Sequence, residues 1–515
     1  MKKFRLLKTC VFAASLAFAA SGSFAATTGP NATMTIGIGI TMNSMDPAQQ
    51  NTTTVRNVLD YHLETLATFN EKGQLEPVLA TSWDWSKDGK TLTVHLRDGV
   101  KFHDGTPFDA KAAKFSLDRL ISPKVSTPNG QRYKVMDSVE VVDPHTIAIH
   151  LKNVVPDFPL VLGDTVAAMI APDSVGKDGN TYENIQKPVG TGPYTLVKRV
   201  RGSEIDFKRF DGYWGKKPYY ENVIFKIVPE ATSLEAGLRA GQIDMIMNPP
   251  ASDLKSLASE PNITILKVPS DRSIYISLKT NQPPLEDKRV RQALNYAVDK
   301  KAIIKNVMFD VVNPTDSPFA STISGYCKAG DYSYNPEKAK QLLKEAGAEN
   351  ISLKIGTPRG RYVQDFEATQ AIASYLRKVG IKVDVGTSDW ASFITAVNSV
   401  DSNPYNAWLL GWAPTAMDAI TQMTFLSKEG FPPNGVNGTF FDDPAVEALY
   451  AKAKLELDET KRNADYCEIQ KKLWDDAPWI YLWTQNLVLA YNSKIEGISY
   501  QPNEKFVTIY AHPKK

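Results

Sequence analysis

The segment "SLKIGTPRGRYVQDFEATQAIASYLRKVGIKVDVGT", Ser352–Thr387, predicts a strand, a helix and a second strand. Short strand-like runs at Ser352–Pro358 and Ile381–Thr387 flank a stretch of helical periodicity at Tyr362–Gly380. Two neighbouring parallel strands need a long crossover between them, and a helix of this length supplies one. We therefore expect a parallel pair of strands here and an α/β fold.

Elsewhere the chain mixes this pattern with strand-rich stretches. Residues 34–40 predict a first strand, and residues 75–151 alternate as antiparallel strands, with a hairpin turn at Asp143-Pro144-His145. Further helices are predicted at Asp109–Ile121, Val290–Ile304 and Asn335–Gly347. In the last of these, Asn335 is placed to cap the amino end and Gly347 the carboxyl end. The fold class is α/β with mixed sheets.

The stretch "LRDGVKFHDGTPFDA", Leu96–Ala110, is rich in charged and polar groups. Asp98-Gly99 is typical of a type I′ hairpin turn, and Asp104-Gly105 marks a second turn. Asp109 is placed to cap the helix that follows it. His103 has no partner at the spacing of metal ligands, so we expect a structural role for it and no metal-binding or catalytic one.

The amino terminus has the features of a secretory signal peptide. Basic residues at positions 2, 3, 5 and 8 precede an apolar run, Cys10–Ala20, that is too short to span a bilayer. Ser23 and Ala25 are small residues before a cleavage point, so we expect residues 1–25 to be removed and the mature chain to begin at Ala26. Cys10 lies inside the apolar run and not at the cleavage point. A soluble protein of the bacterial periplasm is therefore expected.

Removing the signal peptide changes the charge balance. The whole chain has 59 basic and 57 acidic residues, and loss of four basic ones gives a net charge of −2. A weakly acidic chain is not suited to bind nucleic acid or an anionic membrane through bulk charge. About 490 residues exceed the size at which a single core stops growing, so two or more lobes are expected. Cys327 and Cys467 form either a disulfide or two buried free thiols.

The patterns of common catalytic sites do not occur in this sequence. Its six histidines form no metalloprotease motif, and it has neither a nucleophile elbow nor a phosphate loop. The glycine-rich Pro188–Tyr194 is a turn, because Pro193 and the strand-like run after it leave no helix amino terminus for a phosphate. We therefore predict no catalytic residues, no metal and no cofactor. A periplasmic hydrolase stays as the alternative from a different functional class.

The segment Leu75–Leu120 resembles the signature region of family 5 extracellular solute-binding proteins, the peptide, nickel and glutathione receptors of ABC importers. Further resemblances follow in the family's order at Pro188–Tyr194, Phe210–Val228, Leu234–Ile246, Asp287–Ile304 and Tyr334–Gly347. Several independent segments in one order identify the family, although they do not identify the ligand.

The resemblance implies two lobes that close on a ligand and are joined by two crossing strands. The first lobe would comprise residues 26–67, 188–268 and 485–515, with an extra subdomain, residues 68–187, inserted in it. The second lobe would comprise residues 269–484. Two strand-like segments, Pro269–Leu278 and Trp479–Asn492, are suited to be the crossings.

The resemblance also suggests ligand-binding residues. In peptide-binding members an acid soon after a Gly-Trp pair binds the peptide's α-amino group. Here Asp418 is the acid after Trp412, whereas Thr415 occupies the nearer position of the dipeptide receptors. The alternative role of Asp418 is to cap the next helix. Trp412 and Trp390 are expected as aromatic walls of the binding pocket, with burial in the core as the alternative.

Cations for a ligand carboxylate are expected on the loop of "TPRGRYVQD", Thr357–Asp365, which resembles the "GRY" segment of glutathione- and peptide-type members. Ligands favour this end of an α/β unit. Arg359 or Arg361 could bind a carboxylate through two parallel hydrogen bonds, and Arg56 is a third candidate. The alternative is a solvated arginine on the surface.

The predicted function is capture of a short peptide or glutathione-like solute by a monomer, which delivers the solute to the permease subunits of an ABC importer in the inner membrane. Nickel chelates, haem, opines and sugars are the alternative ligands within the same class of receptor.

Overall fold

The computed structural model describes residues 32–42, 44–49, 52–127, 132–400, 402–414, 417–432 and 435–515. The predicted signal peptide with Cys10 and its cleavage point lies outside these residues, and so does Thr415.

The strands are β1 (Thr33–Ile38), β2 (Ala67–Phe69), β3 (Leu75–Pro77), β4 (Ala80–Trp85), β5 (Thr91–Leu96), β6 (Met136–Asp143), β7 (Thr146–Leu151), β8 (Tyr194–Val200), β9 (Glu204–Arg209), β10 (Asn222–Ile227), β11 (Met245–Met247), β12 (Ile263–Leu278), β13 (Val312–Pro314), β14 (Ser352–Pro358), β15 (Lys382–Ser388), β16 (Ala407–Trp412), β17 (Trp479–Asn492), β18 (Ile495–Glu496), β19 (Ser499–Gln501), β20 (Lys505–Val507) and β21 (His512–Pro513). The helices are α1 (Thr53–Leu59), α2 (Ala110–Ile121), α3 (Ala231–Arg239), α4 (Leu254–Ala258), α5 (Lys288–Ala297), α6 (Lys300–Asn306), α7 (Pro336–Glu345), α8 (Asp365–Lys378), α9 (Trp390–Val397), α10 (Ala419–Met423), α11 (Pro444–Ala453) and α12 (Glu459–Asp476).

A sheet of 11 strands runs through the molecule in the order β15-β14-β16-β12-β17-β11-β1-β10-β9-β8, with β13 paired to β17. Strand β14 is parallel to β15 and β16, and β1 is parallel to β10 and β11, whereas β12 and β17 are antiparallel to each other. The predicted parallel pair and the mixed α/β class are confirmed. Helix α8 begins at Asp365 and not at Tyr362, because residues 359–364 form a loop.

Strands β12 and β17 are the crossings that join the two lobes. They pair from Ile263 opposite Asn492 to Ser277 opposite Trp479. One end of the pair packs into a core with β1, β10 and α1, and the other end packs into a core with α5 and α8. The two-lobed architecture with two crossing strands is confirmed. A register shift between Pro269 and Ser273 interrupts β12 where it passes from one core to the other.

A separate sheet of four strands, β4-β5-β7-β6, packs with α2 around its own core. Leu92, Val94, Ile147 and Ile149 alternate toward this core, as expected of strands with one face buried. This unit is the subdomain inserted in the first lobe. The turn at residues 143–145 joins β6 to β7 as predicted. The boundaries at residues 67, 187, 268 and 484 stay predictions.

The segment Leu96–Ala110 differs in part from its prediction. Gly99 has a positive φ of 75° but Asp98 does not, and β5 pairs with β4 and β7, so the predicted type I′ hairpin is wrong. The distant strand β7 takes the place that a local hairpin partner would occupy. The cap is confirmed, because the Asp109 carboxylate accepts hydrogen bonds from the backbone N–H groups of residues 111 and 112.

Two more local expectations have clear outcomes. The Asn335 side chain accepts a hydrogen bond from the Lys338 backbone N–H at 2.9 Å, and Gly347 has a φ of 65° just after α7. Cys327 and Cys467, left open between two alternatives by the sequence, form a disulfide with their Cα atoms 5.4 Å apart. In the described part of the chain, no helix is both long and apolar enough to cross a bilayer.

Candidate ligand-binding site

A cleft of about 1090 Å³ lies between the two lobes. The first lobe contributes the start of α1, residues 247–252 and Leu254, and the crossing strands contribute Arg272 and residues 485–488. The second lobe contributes residues 359–365 and Trp390, and the carboxyl-terminal segment contributes Glu504 and Phe506. Because residues of both lobes line it, closure and opening of the lobes would change its shape.

The loop of residues 359–364 presents two arginines to this cleft. The buried Asp365 carboxylate accepts hydrogen bonds from the backbone N–H groups of residues 360, 361 and 362, at 2.8–3.1 Å, and so fixes the loop. The Arg361 side chain is exposed, and its guanidinium lies 5.1 Å from the Trp390 ring and 5.2 Å from the Tyr362 ring. Two aromatic faces restrict this cation at the cleft while leaving its N–H donors available.

Arg359 has different surroundings. It is exposed, and its guanidinium lies 4.7 Å from the Phe366 ring.

Trp390 is the first residue of α9. Asp389 caps the amino end of this helix by accepting a hydrogen bond from the Ser392 backbone N–H. The half-buried Trp390 ring therefore has a fixed position as a flat apolar wall beside Arg361.

The opposite wall carries a paired charge. Glu504 accepts two hydrogen bonds from the Arg272 guanidinium, at 2.6 and 2.7 Å, and a third from the Thr53 hydroxyl at 3.3 Å. Burial by itself would raise the pKa of Glu504, but Arg272 and, more weakly, Arg361 outweigh it and hold that pKa below its ordinary value. Glu504 is therefore ionised at neutral pH and already has its partner.

Beside the cleft, a buried ion-pair cluster consists of Arg56, Arg132, Asp164 and Asp418. Arg56 lies 3.4 Å and Arg132 lies 3.6 Å from the Asp164 carboxylate. Arg132 also lies 3.7 Å from Asp418 and donates to the Thr421 hydroxyl at 3.3 Å. Arg132 belongs to the inserted subdomain and Asp418 to the second lobe, so the cluster connects the lobes.

The structure thus divides the six predicted ligand-binding residues. Arg359, Arg361 and Trp390 line the cleft. Arg56 and Asp418 belong to the ion-pair cluster, and Asp418 also caps α10 by accepting from the Thr421 backbone N–H at 2.6 Å. Trp412 is half-buried with its ring 4.6 Å from Phe425, and its indole N–H has no hydrogen-bond partner among the described residues.

Sequence reasoning missed Arg132, Arg272 and Glu504. The segment "PSDRSIYISL" offered a signal for one of them, because two adjacent charged residues interrupt a run with the pattern of a buried strand. Arg132 and Glu504 gave no such signal. Their ion-pair partners are far away in the chain.

His103 lies in the inserted subdomain. One ring nitrogen is 2.8 Å from the Gly192 carbonyl oxygen, and the ring packs against His62 and Phe210. Burial lowers the pKa of His103 to about 3, so this side chain is neutral at physiological pH. The described residues contain no group of three or more His, Cys, Asp or Glu side chains arranged to hold a metal ion.

A comparison with known families identifies the chain. Residues 74–432 match the bacterial extracellular solute-binding proteins, family 5. The chain belongs to this family. The resemblance noted in the sequence is confirmed, and this protein is a solute-binding protein.

Individual relatives agree with this assignment. The glutathione-binding protein GsiB of Pectobacterium atrosepticum is 32% identical over 475 residues, which cover 92% of each chain. Among solved structures, HbpA2 of Haemophilus parasuis has a TM-score of 0.85 at 26% identity, covering 94% of this chain and 100% of that one. DppA of Helicobacter pylori, an ABC transporter-associated periplasmic binding protein solved with the peptide STSA, has a TM-score of 0.75 at 26% identity, with 94% and 98% covered.

Proposed function

We propose that this protein captures a short peptide or glutathione-like solute between its lobes and delivers it to the permease of an ABC importer. The observation that carries the proposal is the arginine loop. Arg361 is an exposed cation beside the rings of Tyr362 and Trp390 at the cleft, on a loop whose backbone N–H groups donate to the Asp365 carboxylate. A planar guanidinium with free donors is suited to bind a carboxylate through two parallel hydrogen bonds.

The relatives favour the same chemistry. Glutathione and short peptides both combine free carboxylates with an ammonium group, and receptors for each occur among the relatives. The cleft of about 1090 Å³ has room for a solute of a few amino-acid residues together with bound water. The glutathione-binding relative, at 32% identity, favours this class of solute over a nickel chelate, haem, an opine or a sugar.

For the ammonium group, Asp418 is the anchor expected from the sequence. In the structure its carboxylate already accepts from the Thr421 backbone N–H and lies next to Arg132. An ammonium group that bound there would share the carboxylate with Arg132 and the Thr421 backbone N–H. Asp418 as the amine anchor therefore stays a prediction, and it can be tested separately from Arg361.

We also propose that the protein works as a monomer in the periplasm after removal of residues 1–25. Intact mass spectrometry of protein from a periplasmic extract should give a chain that begins at Ala26. A lipidated or uncleaved amino terminus would contradict this part of the proposal.

Calorimetry with reduced glutathione and trialanine tests the proposed ligand class. At least one of them should bind, and small-angle scattering should show a smaller radius of gyration with the bound solute. The bound solute should be recovered unchanged after prolonged incubation, whereas turnover would favour the hydrolase alternative. Failure of both solutes to bind, together with a co-purifying solute that lacks a carboxylate, would reject the peptide-like class.

A further inference from the structure

Asp271 is a buried acid on the crossing strand β12. It lies within the register shift between Pro269 and Ser273, where the strand passes from one lobe to the other. Its side chain is fully buried, and neither carboxylate oxygen has a hydrogen-bond partner among the described residues. Its backbone N–H donates to the Pro502 carbonyl oxygen at 3.0 Å. The backbone is therefore held in place while the carboxylate is left unsatisfied.

The arginines close to Asp271 already have acidic partners. Arg272, the next residue, makes the two hydrogen bonds to Glu504, and Arg56 lies beside Asp164. Arg132 lies between two acids of the ion-pair cluster. Each of these arginines is matched by an acid other than Asp271. Asp271 therefore adds one negative charge without a matching cation, at the junction between the cleft wall and the ion-pair cluster.

A buried carboxylate without a partner is costly, so the chain gains free energy if the group is protonated or if a cation reaches it. Burial, followed by the nearby Glu504 charge, raises the pKa of Asp271 well above its ordinary value. A bound cation would stabilise the ionised form that burial disfavours.

A second acceptor without a partner belongs to the segment that binds the Asp271 backbone. Asn503 follows Pro502, whose carbonyl oxygen accepts from the Asp271 backbone, and the buried Asn503 amide oxygen has no hydrogen-bond partner among the described residues. An ammonium group has three N–H donors and matches a carboxylate and an amide oxygen together.

Contacts between the lobes lie next to this position. Arg132 of the inserted subdomain is near enough to Asp271 for the Asp271 charge to raise the pKa of Arg132, and its guanidinium lies 3.7 Å from Asp418 of the second lobe. These contacts must separate when the lobes open. A solute group could then reach Asp271 in the open form and become enclosed on closure.

We propose that Asp271, with the Asn503 amide oxygen, binds the ammonium group of the captured solute at the hinge. The inference rests on the proposed function and deepens it, because it specifies a zwitterionic solute and places its cationic end. It also makes Asp271, and not Asp418, the acid that recognises the amine.

The test compares each probe with its N-acetylated form, which lacks the ammonium group. Reduced glutathione and trialanine are titrated calorimetrically into the wild-type protein and into Asp271→Asn, and the better binder is taken further. N-acetylation should weaken wild-type binding by about 30-fold or more, the effect of leaving a buried charge unpaired. The affinity of Asp271→Asn for the unacetylated probe should fall by a similar factor, whereas its affinity for the acetylated probe should equal that of the wild type.

Asp418→Asn is the matched rival. If N-acetylation of the probe weakens its binding to Asp271→Asn by the same factor as its binding to the wild type, the amine is bound elsewhere. The inference is then wrong even though the proposed function stands. If Asp418→Asn alone abolishes the amine preference, Asp418 is the anchor. If neither probe binds the wild-type protein, the inference fails together with the proposed function.

Folding of the variants is checked by thermal denaturation without solute. Asp271→Asn keeps the shape of the side chain and removes its charge, so its melting temperature should equal or exceed that of the wild type. If this variant does not fold, Asn503→Leu takes its place. It should weaken binding of the free amine by about fivefold or more and leave the acetylated probe unaffected, consistent with loss of a hydrogen bond to a charged group. Equal loss for both probes would contradict the inference.

Discussion

The cleft and the buried ion-pair cluster lie side by side between the lobes, and both contain arginines. In the cleft, Arg361 is exposed, and within the residues that the structure describes it forms no ion pair closer than 4.0 Å. In the cluster, Arg132 is 15% exposed and lies between Asp164 and Asp418. From this difference we expect Arg361, whose donors are free, to bind solute, and Arg132, which lies between two acids, to connect the lobes.

The largest effect is expected for the cluster. Asp164→Asn keeps an acceptor for the Val166 backbone N–H but leaves Arg56 and Arg132 facing each other without their shared carboxylate. Breaking a buried pair in this way should lower the free energy of unfolding by about 3–5 kcal/mol, as measured by urea denaturation. Asp178→Asn is the control, since the pair of Asp178 with Lys187 is exposed and should contribute little. An unchanged denaturation midpoint for Asp164→Asn would remove the distinction between the two regions.

The next effect concerns the cleft. Arg361→Ala should weaken binding of reduced glutathione by about 2–5 kcal/mol, because it leaves the carboxylate without a partner in a closed site. The melting temperature without solute should not change, since the Arg361 side chain is exposed. Arg361→Lys should give an intermediate affinity, because lysine keeps the charge and loses the planar pair of donors. Lys344→Ala, which removes an exposed cation elsewhere in the second lobe, is the control. Equal affinity for Arg361→Ala and Lys344→Ala would mean that Arg361 is only a surface residue.

A pH effect should follow from the contact between Asp157 of the inserted subdomain and Arg462 of α12, which lie 3.0 Å apart. Burial raises the pKa of Asp157 to about 6, with Arg462 opposing that rise and Asp418 and Glu459 adding to it. In an open form, with this carboxylate in water, its pKa would return to the ordinary 3.8. Closure then takes up a proton, so the closed form gains stability as the pH falls through 6, and the gain is complete below 3.8.

When the pH is lowered from 7.5 to 5 without solute, the ratio of closed to open protein should rise about tenfold. Small-angle scattering should detect this change as a decrease in the radius of gyration. The part of this pH dependence that is due to Asp157 should be absent from Asp157→Asn. The control Asp173→Asn, which changes an exposed residue, should retain it. Asp271, whose pKa burial also raises, acts in the same direction, so Asp157→Asn should reduce the dependence and not abolish it. A radius that increases on acidification would contradict the assignment.

The smallest effect on binding is expected for His103. This side chain packs against His62 and Phe210, and it does not line the cleft. His103→Ala should therefore leave the affinity for glutathione unchanged in calorimetry, although loss of packing should lower the melting temperature. A tenfold loss of affinity would show that the first lobe communicates with the cleft through this cluster of rings.

Local patterns in the sequence predicted much of the fold. The strand–helix–strand unit of β14, α8 and β15 and the caps at Asp109 and Asn335 depend on residues a few positions apart, so periodicity and capping preferences determine them. The same unit predicted the positions of Arg359 and Arg361, because a loop between a strand and its helix lies at the end of the sheet where ligands bind. Neither the boundaries of the loop nor the aromatic neighbours of Arg361 could be predicted in this way.

The sequence by itself determined the family, the α/β class, the local elements and the presence of charged residues near the lobe interface. Only the tertiary structure decided which charges are paired. Arg272 and Glu504 are separated by 232 positions, and Arg132 and its hydrogen-bond partner Thr421 by 289. Local preferences act over a few residues, whereas the burial and the partner of a charge depend on the path of the whole chain. For that reason Asp418 appears available in the sequence and paired in the fold, while Asp271 is buried without a partner.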